Sequence, residues 1–152
     1  MNCRLGKTVE KKVVKKKTRK RKPANKNTQG ELLLFNVLNQ CIQDQEYINH
    51  GYYSFLKSPK GKPMQLDRYY PDLKLAFEFQ GEQHFKFNKW IHKTEENFLY
   101  YQKCDKLKKK ICKEKGITLI EVMYNHKINK DSILMDIEKH SKKIYKKIKG
   151  MK

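Results

Sequence analysis

The sequence predicts one α/β domain built on a mixed four-stranded sheet, in the order α-β-β-β-α-β with a C-terminal helix. Three observations carry this expectation. Segments 64–70 and 73–80 both alternate apolar and polar residues, the mark of a half-buried strand, and only Pro71-Asp72 separates them. A long amphipathic helical pattern over 94–115 follows. A short β-branched run, 117–123, comes after that helix and has the composition of a buried strand. A strand, a helix and another strand make a crossover, so parallel and antiparallel pairs must share one sheet. The 152 residues suffice for a single core.

The folded part begins near Thr28. Thr28 can cap a helix running to about Asp44, and Glu31 stands three residues later, as in a capping box. The aromatic-rich stretch 47–55 is the first strand, and Ser58-Pro59-Lys60-Gly61-Lys62-Pro63 is a loop. In the second strand of the following hairpin, Leu75, Phe77 and Phe79 share one face, while Ala76, Glu78 and Gln80 share the other. Gly81 ends that strand, and 82–93 is a loop with aromatic anchors. The helix over 94–115 presents Phe98, Tyr101, Cys104, Leu107 and Ile111 on one side and ends at Lys115-Gly116. A single last helix over about 131–149 carries the stripe Ile133, Ile137, Ile144, Ile148.

Charge narrows the partners. Lys and Arg number 36 against 16 Asp and Glu, a net charge of +20. Neutralising a polyanion releases its condensed counterions, so nucleic acid is the first partner expected and an anionic membrane surface the second. No apolar run is long enough for a membrane helix, and the N-terminus lacks a secretory pattern. Residues 1–28 hold twelve Lys or Arg and one acid, Glu10, and are expected to be a disordered basic tail ahead of a domain at 29–152. Its densest part, with Lys15, Lys16, Lys17, Arg19, Lys20, Arg21 and Lys22, suits an arm along phosphates, a nuclear-localisation signal or a solubilising tail. Without that tail the domain keeps 24 basic and 15 acidic residues. Lys86 and Lys89 join the nucleic-acid-binding set, and Tyr69, Phe85, Phe87 and Trp90 either stack on bases or pack as small clusters. Cys3, Cys41, Cys104 and Cys112 show no zinc-site spacing, and the last three fit helices in a reducing compartment. His126 and His140 are expected at the surface.

The hairpin carries the chemistry. If 71–74 form a four-residue turn, Tyr70 lies opposite Leu75, and counting back sets Asp67 opposite Glu78. Cross-strand Cβ atoms are about 4.5–5.5 Å apart. Two carboxylates that close are unfavourable unless a proton or cation lies between them. Mg2+ (or Mn2+) is the natural occupant, and a cation there would polarise a phosphodiester and activate water. The opposing interpretation is an exposed pair neutralised by Arg68 or nearby lysines.

The block Leu66-Asp67-Arg68-Tyr69-Tyr70-Pro71-Asp72-Leu73-Lys74-Leu75-Ala76-Phe77-Glu78-Phe79-Gln80-Gly81-Glu82-Gln83-His84-Phe85 resembles the core of PD-(D/E)XK nucleases. The nearest branch is the Vsr-like (very-short-patch-repair-like) and phage homing-endonuclease group. Gln102-Lys103-Cys104-Asp105-Lys106-Leu107-Lys108, then Gly116-Ile117 and a strand, resembles its helix-then-strand half. The resemblance covers roughly residues 28–125 and implies a restriction-endonuclease-like core. It implies a metal-dependent DNA endonuclease of homing or repair type, with Asp67 and Glu78 as the metal pair. Gln80 stands where many members carry a catalytic Lys; it has no ammonium but can orient water. The resemblance leaves the missing cation to Lys106 or Lys109. Glu31 would match an acid that completes the metal shell through water, a role its capping-box position does not exclude. His84 matches a general base or leaving-group stabiliser, work for which imidazole is the commonest side chain. Asp105 matches a recurrent acid, for which a salt bridge to a lysine is the plain alternative. Pro71-Asp72 with Glu78 matches the signature literally, but a turn would carry Asp72 away from Glu78, so Asp67 is preferred.

Gln80 also invites the alternative of a nuclease fold that binds DNA or RNA without cutting. A purely structural basic protein would leave the Asp67–Glu78 pair without a reason. Pairing of two chains is left open, and so is the compartment, between the nucleus and the cytoplasm of a bacterial or phage-infected cell.

Overall fold

The computed structural model describes residues 28–150. The basic tail, with Lys15 to Lys22, therefore lies outside the described residues, apart from Thr28. The element order is α1 (Gln29–Cys41), β1 (Ile48–Lys57), β2 (Pro63–Tyr70), β3 (Leu75–Gln80), a 3-10 turn (Glu82–His84), α2 (Lys89–His92), α3 (Glu95–Glu114), β4 (Thr118–Met123), α4 (Lys130–His140) and α5 (Lys142–Gly150). The strands form one mixed sheet in the order β1-β2-β3-β4. The first two pairs are antiparallel and β3–β4 is parallel, joined by the expected crossover through α3. Among the described residues, no helix is long and apolar enough to cross a membrane.

Helices cover both faces of the sheet. On one face Leu34 and Leu38 of α1 meet Leu75 and Phe77 of β3, Ile120 and Val122 of β4, and Ile133, Ile137, Ile144 and Ile148 of the last two helices. On the other, Cys112, Leu107 and Ile111 of α3 pack with Leu56, Met64, Leu66 and Ala76. Each fully buried Leu, Ile or Phe contributes about 1.5–3 kcal/mol relative to exposure. Leu75 and Phe77 against Ala76 thus divide between two cores, as strand alternation requires. In β2 the assignment changes partway: Met64 and Leu66 join the α3-side core, while Tyr70 joins the other. The change falls around Asp67.

Local signals explain the ends. Thr28 Oγ1 accepts from the Glu31 N–H at 3.3 Å and caps α1. Gly30, the second residue of α1, permits a close approach, because a Cβ there would stand 2.2 Å from Phe79 Cζ. Gly116, at φ +68°, closes α3: its N–H donates to Lys113 O at 3.0 Å, and the Ile117 N–H donates to Cys112 O at 2.8 Å. The expected single last helix is two. Ser141 is extended (φ −155°, ψ 97°), and its Oγ accepts from the Ile144 N–H, so this hydroxyl starts a new helix instead of continuing the old one. The expected loop 82–93 is partly helical, with Asn88 capping α2.

Arg68 is 2% exposed. It donates to Asn49 Oδ1 at 2.8 Å, Asn39 Oδ1 at 2.7 Å and Phe35 O at 3.2 Å. Its guanidinium lies about 4 Å from the ring centroids of Phe35 (4.2 Å) and Tyr47 (4.1 Å). It therefore pairs with amides and aromatic faces and does not neutralise Asp67.

Candidate metal and phosphodiester site

The β2–β3 ladder pairs Tyr70 with Leu75, Tyr69 with Ala76 and Arg68 with Phe77. One step further, Asp67 faces Glu78, and there side chains replace the main-chain ladder. Glu78 Oε1 accepts from the Asp67 N–H at 3.2 Å, and Asp67 Oδ2 accepts from the Phe79 N–H at 2.8 Å. The hairpin count from sequence thus holds in the structure. Asp72 sits exposed in the turn, away from this pair.

Glu78 is 5% exposed. Burial pushes its carboxyl up to about 7; the Lys108 ammonium opposes the rise and the Asp67 charge adds to it. Lys108 Nζ lies 2.7 Å from Glu78 Oε2. Burial would lower that ammonium, but the charge and hydrogen bond of Glu78 outweigh it and hold it above its ordinary range. Among the described residues the cation beside the acid pair is therefore Lys108, where Lys106 or Lys109 was expected. Lys108 is one turn from both Cys104 and Cys112, so it points at the sheet with them. Lys109 reaches Glu121 Oε2 at 2.6 Å instead. Lys106 is exposed on the rim of a hollow of about 230 Å³, shared with Gln80, His84, Asp105, Lys109 and Glu121.

Glu31 does more than stand in the first turn of α1. Its carboxylate lies 3.3 Å from His50 Nε2. Burial raises its pKa first, the Asp67 charge adds to the rise, and His50 and the Thr28 hydrogen bond oppose it. One donor atom each from Glu31, His50 and Asp67 lies within 4.8 Å of the other two. His50 was not anticipated. The β1–β2 register, Asn49 with Arg68 and Gly51 with Leu66, sets it across from Asp67.

Two polar pairs complete the surroundings. Gln80, 4% exposed, donates from Nε2 to Glu121 Oε1 at 3.1 Å. His84 Nδ1 lies 2.9 Å from Asp105 Oδ2, both partly exposed, so the partner of Asp105 is an imidazole, not a lysine. Of the loop aromatics, Phe87 packs with His92 and Phe98, Tyr69 packs with Tyr53, and Phe85 approaches Tyr124. Trp90 alone of these four is almost fully exposed, at 94%. Lys86 is exposed and pairs with Glu82, and Lys89 is exposed at the start of α2. His126 and His140 are exposed and engage Asp136.

No family model matches the chain, and no solved structure matches it. Among curated proteins, "Uncharacterized protein 307L" of Invertebrate iridescent virus 6 is 34% identical over 116 residues, 67% of this chain and 59% of that protein. "Uncharacterized protein 033L" of Invertebrate iridescent virus 3 is 36% identical over 77 residues, 50% of this chain and 40% of that protein. "Uncharacterized protein 094L" of Frog virus 3 (isolate Goorha) is 36% identical over 85 residues, 55% and 50% of the two chains. The chain is thus similar to three viral proteins and spans between 40% and 59% of their own lengths.

Proposed function

We propose that this protein is a metal-dependent endonuclease that hydrolyses DNA phosphodiester bonds, built on a restriction-endonuclease-like core of PD-(D/E)XK type. The observation that carries the reading is the Asp67–Glu78 pair, set side by side where the β2–β3 ladder gives way to side chains. Three carboxylates gather at this one place: Glu31 and Glu78 each feel the charge of Asp67, and of the three only Glu78 has a lysine partner among the described residues. Oxygen donors of that kind fit a small divalent cation such as Mg2+. Asp67 and Glu78 would hold it, with Glu31 completing its surroundings. When bound, such a cation polarises a phosphodiester oxygen and lowers the pKa of water.

The chain's own groups have separate tasks. Lys108 balances the charge of Glu78 and supplies the cation that Gln80 lacks. Gln80 is held at its amide by Glu121, which leaves its carbonyl oxygen to orient water. Asp105 fixes the ring of His84, which takes or gives a proton at Nε2 beside the hollow. The net charge of +20 supplies attraction to phosphates.

One observation favours a second reading. The hydrogen bond of Gln80 to Glu121 ties up the very side chain that stands in the place of a catalytic lysine, which suits a nuclease fold that binds nucleic acid without cutting it. The deciding experiment is nicking of supercoiled plasmid in Mg2+ or Mn2+, with EDTA and Glu78→Ala as controls. Metal-dependent nicking lost in Glu78→Ala supports the nuclease. Salt-sensitive retention of plasmid, branched and single-stranded DNA with no cleavage in either metal refutes it in favour of the binding protein.

A further inference from the structure

The acid cluster contains a nitrogen. Glu31 comes from α1, His50 from β1 and Asp67 from β2, and a donor atom from each lies within 4.8 Å of the others. Two carboxylates alone would suit any hard cation. An imidazole beside them changes the preference, because nitrogen donors favour first-row transition ions over Mg2+.

Two further observations point to an ion. Among the described residues, no Lys or Arg forms an ion pair with Glu31 or Asp67, although Lys108, Lys109, Lys86 and Lys110 each pair with another acid. Among the described residues, these two neighbouring carboxylates thus have an imidazole beside them and no Lys or Arg paired with either. The imidazole is also oriented. His50 Nδ1 lies 2.6 Å from Gln65 Nε2, which turns Nε2 toward Glu31. A glutamine amide can offer either its N–H or its oxygen to an imidazole, so Gln65 can support the tautomer that leaves Nε2 a lone pair. Ligating histidines characteristically carry such an outer partner on their second ring nitrogen.

We propose that His50 is a metal ligand, and that Glu31, His50 and Asp67 form a mixed nitrogen–oxygen site selecting Mn2+ or another first-row transition cation over Mg2+. This deepens the metal-dependent reading above and rests on its metal centre, so it is tested without DNA. The full chain is titrated with Mn2+, and bound ion is read from loss of the free-ion electron paramagnetic resonance signal, with Mg2+ as competitor. The wild-type protein is expected to bind Mn2+ and to yield it only to a Mg2+ excess of at least about tenfold, and His50→Gln should weaken Mn2+ binding by about tenfold or more and erase that preference. In the unsubstituted protein, substoichiometric Mn2+ should broaden the His50 ring resonances before those of His126 and His140, a readout independent of whether the variant folds. Equal competition by Mg2+, or Mn2+ binding untouched in a folded His50→Gln, overturns the proposal. So does broadening that begins at His126 or His140. A plasmid that stays intact while Mn2+ selectivity follows His50 would refute the nuclease and leave this site standing.

Discussion

Replacing Lys108 with Met removes the ammonium 2.7 Å from Glu78 Oε2 and keeps a long apolar stem in its place. Breaking a buried ion pair ordinarily costs about 3–5 kcal/mol, because the surviving charge is stranded. Glu78 has an escape. Its carboxyl titrates at about 7 in the folded protein, so near that pH the neutral form is as populated as the charged one. Without Lys108 the carboxyl stays protonated, and the added penalty at pH 7 is about 1 kcal/mol or less. Higher pH separates the two proteins. Because the folded carboxyl sits above its ordinary 4.5, its contribution to stability is complete below 4.5 and is lost as pH rises through about 7. That loss runs at about 1.4 kcal/mol per pH unit and totals about 3 kcal/mol in the wild type. Above 7 the wild-type contribution is flat. The variant, whose carboxyl titrates higher still, goes on losing stability at the same slope, so the gap at pH 9 should reach about 3 kcal/mol. Urea denaturation in EDTA from pH 6 to pH 9 measures it, followed by far-ultraviolet circular dichroism because the lone tryptophan is 94% exposed and a poor probe of the core. A gap of 3–5 kcal/mol that does not change with pH would mean that Glu78 is ionised throughout, and would refute the reasoning from burial.

Other outcomes follow from neighbouring contacts. Gly30→Ala drives a methyl into the Phe79 ring, and overpacking of about 1–3 kcal/mol should exceed a helix-propensity gain of about 0.5–1 kcal/mol. A lowered Tm that Phe79→Leu restores would establish that contact as the cause. Burial pushes the Cys112 thiol up to about 11, so at pH 8 it should resist a disulfide reagent in the native protein and react once urea unfolds the chain. His84→Ala should slow plasmid nicking by about 10²–10⁴-fold with DNA affinity unchanged, and Asp105→Asn should slow it less; unchanged nicking by His84→Ala removes the residue from the chemistry.

The hairpin is legible in the sequence because a four-residue turn leaves only one register, and that register carries Asp67 to Glu78. The same reasoning cannot reach His50. The β1–β2 connection is a longer loop, and the register shifts between Tyr52 and Lys57, so no residue count crosses it. Lys108 escaped for a different reason: α3 has a broad apolar side, and whether 106, 108 or 109 meets the acid pair depends on how the helix is rotated against the sheet. The break at Ser141 was masked because Ile137 and Ile144 lie seven residues apart, a spacing that continues the stripe across the gap. The serine itself was the available signal, since its hydroxyl favours helix starts.

Arg68 gives the centre an unusual dependence. Its backbone adjoins Asp67, and its guanidinium holds the carbonyl of Phe35 and the amide of Asn39 on α1, together with the amide of Asn49, next to His50 on β1. The three elements that supply Glu31, His50 and Asp67 are therefore keyed to one planar cation that touches none of the three carboxyl and imidazole groups through a hydrogen bond of its own among the described residues. The elements that carry these side chains are thus tied together from behind by a rigid five-donor fork, while the side chains' own contacts orient them locally. A lysine in its place would keep the charge and lose the three-way gauge, so such a change would disturb the spacing of these side chains together with the packing around Arg68.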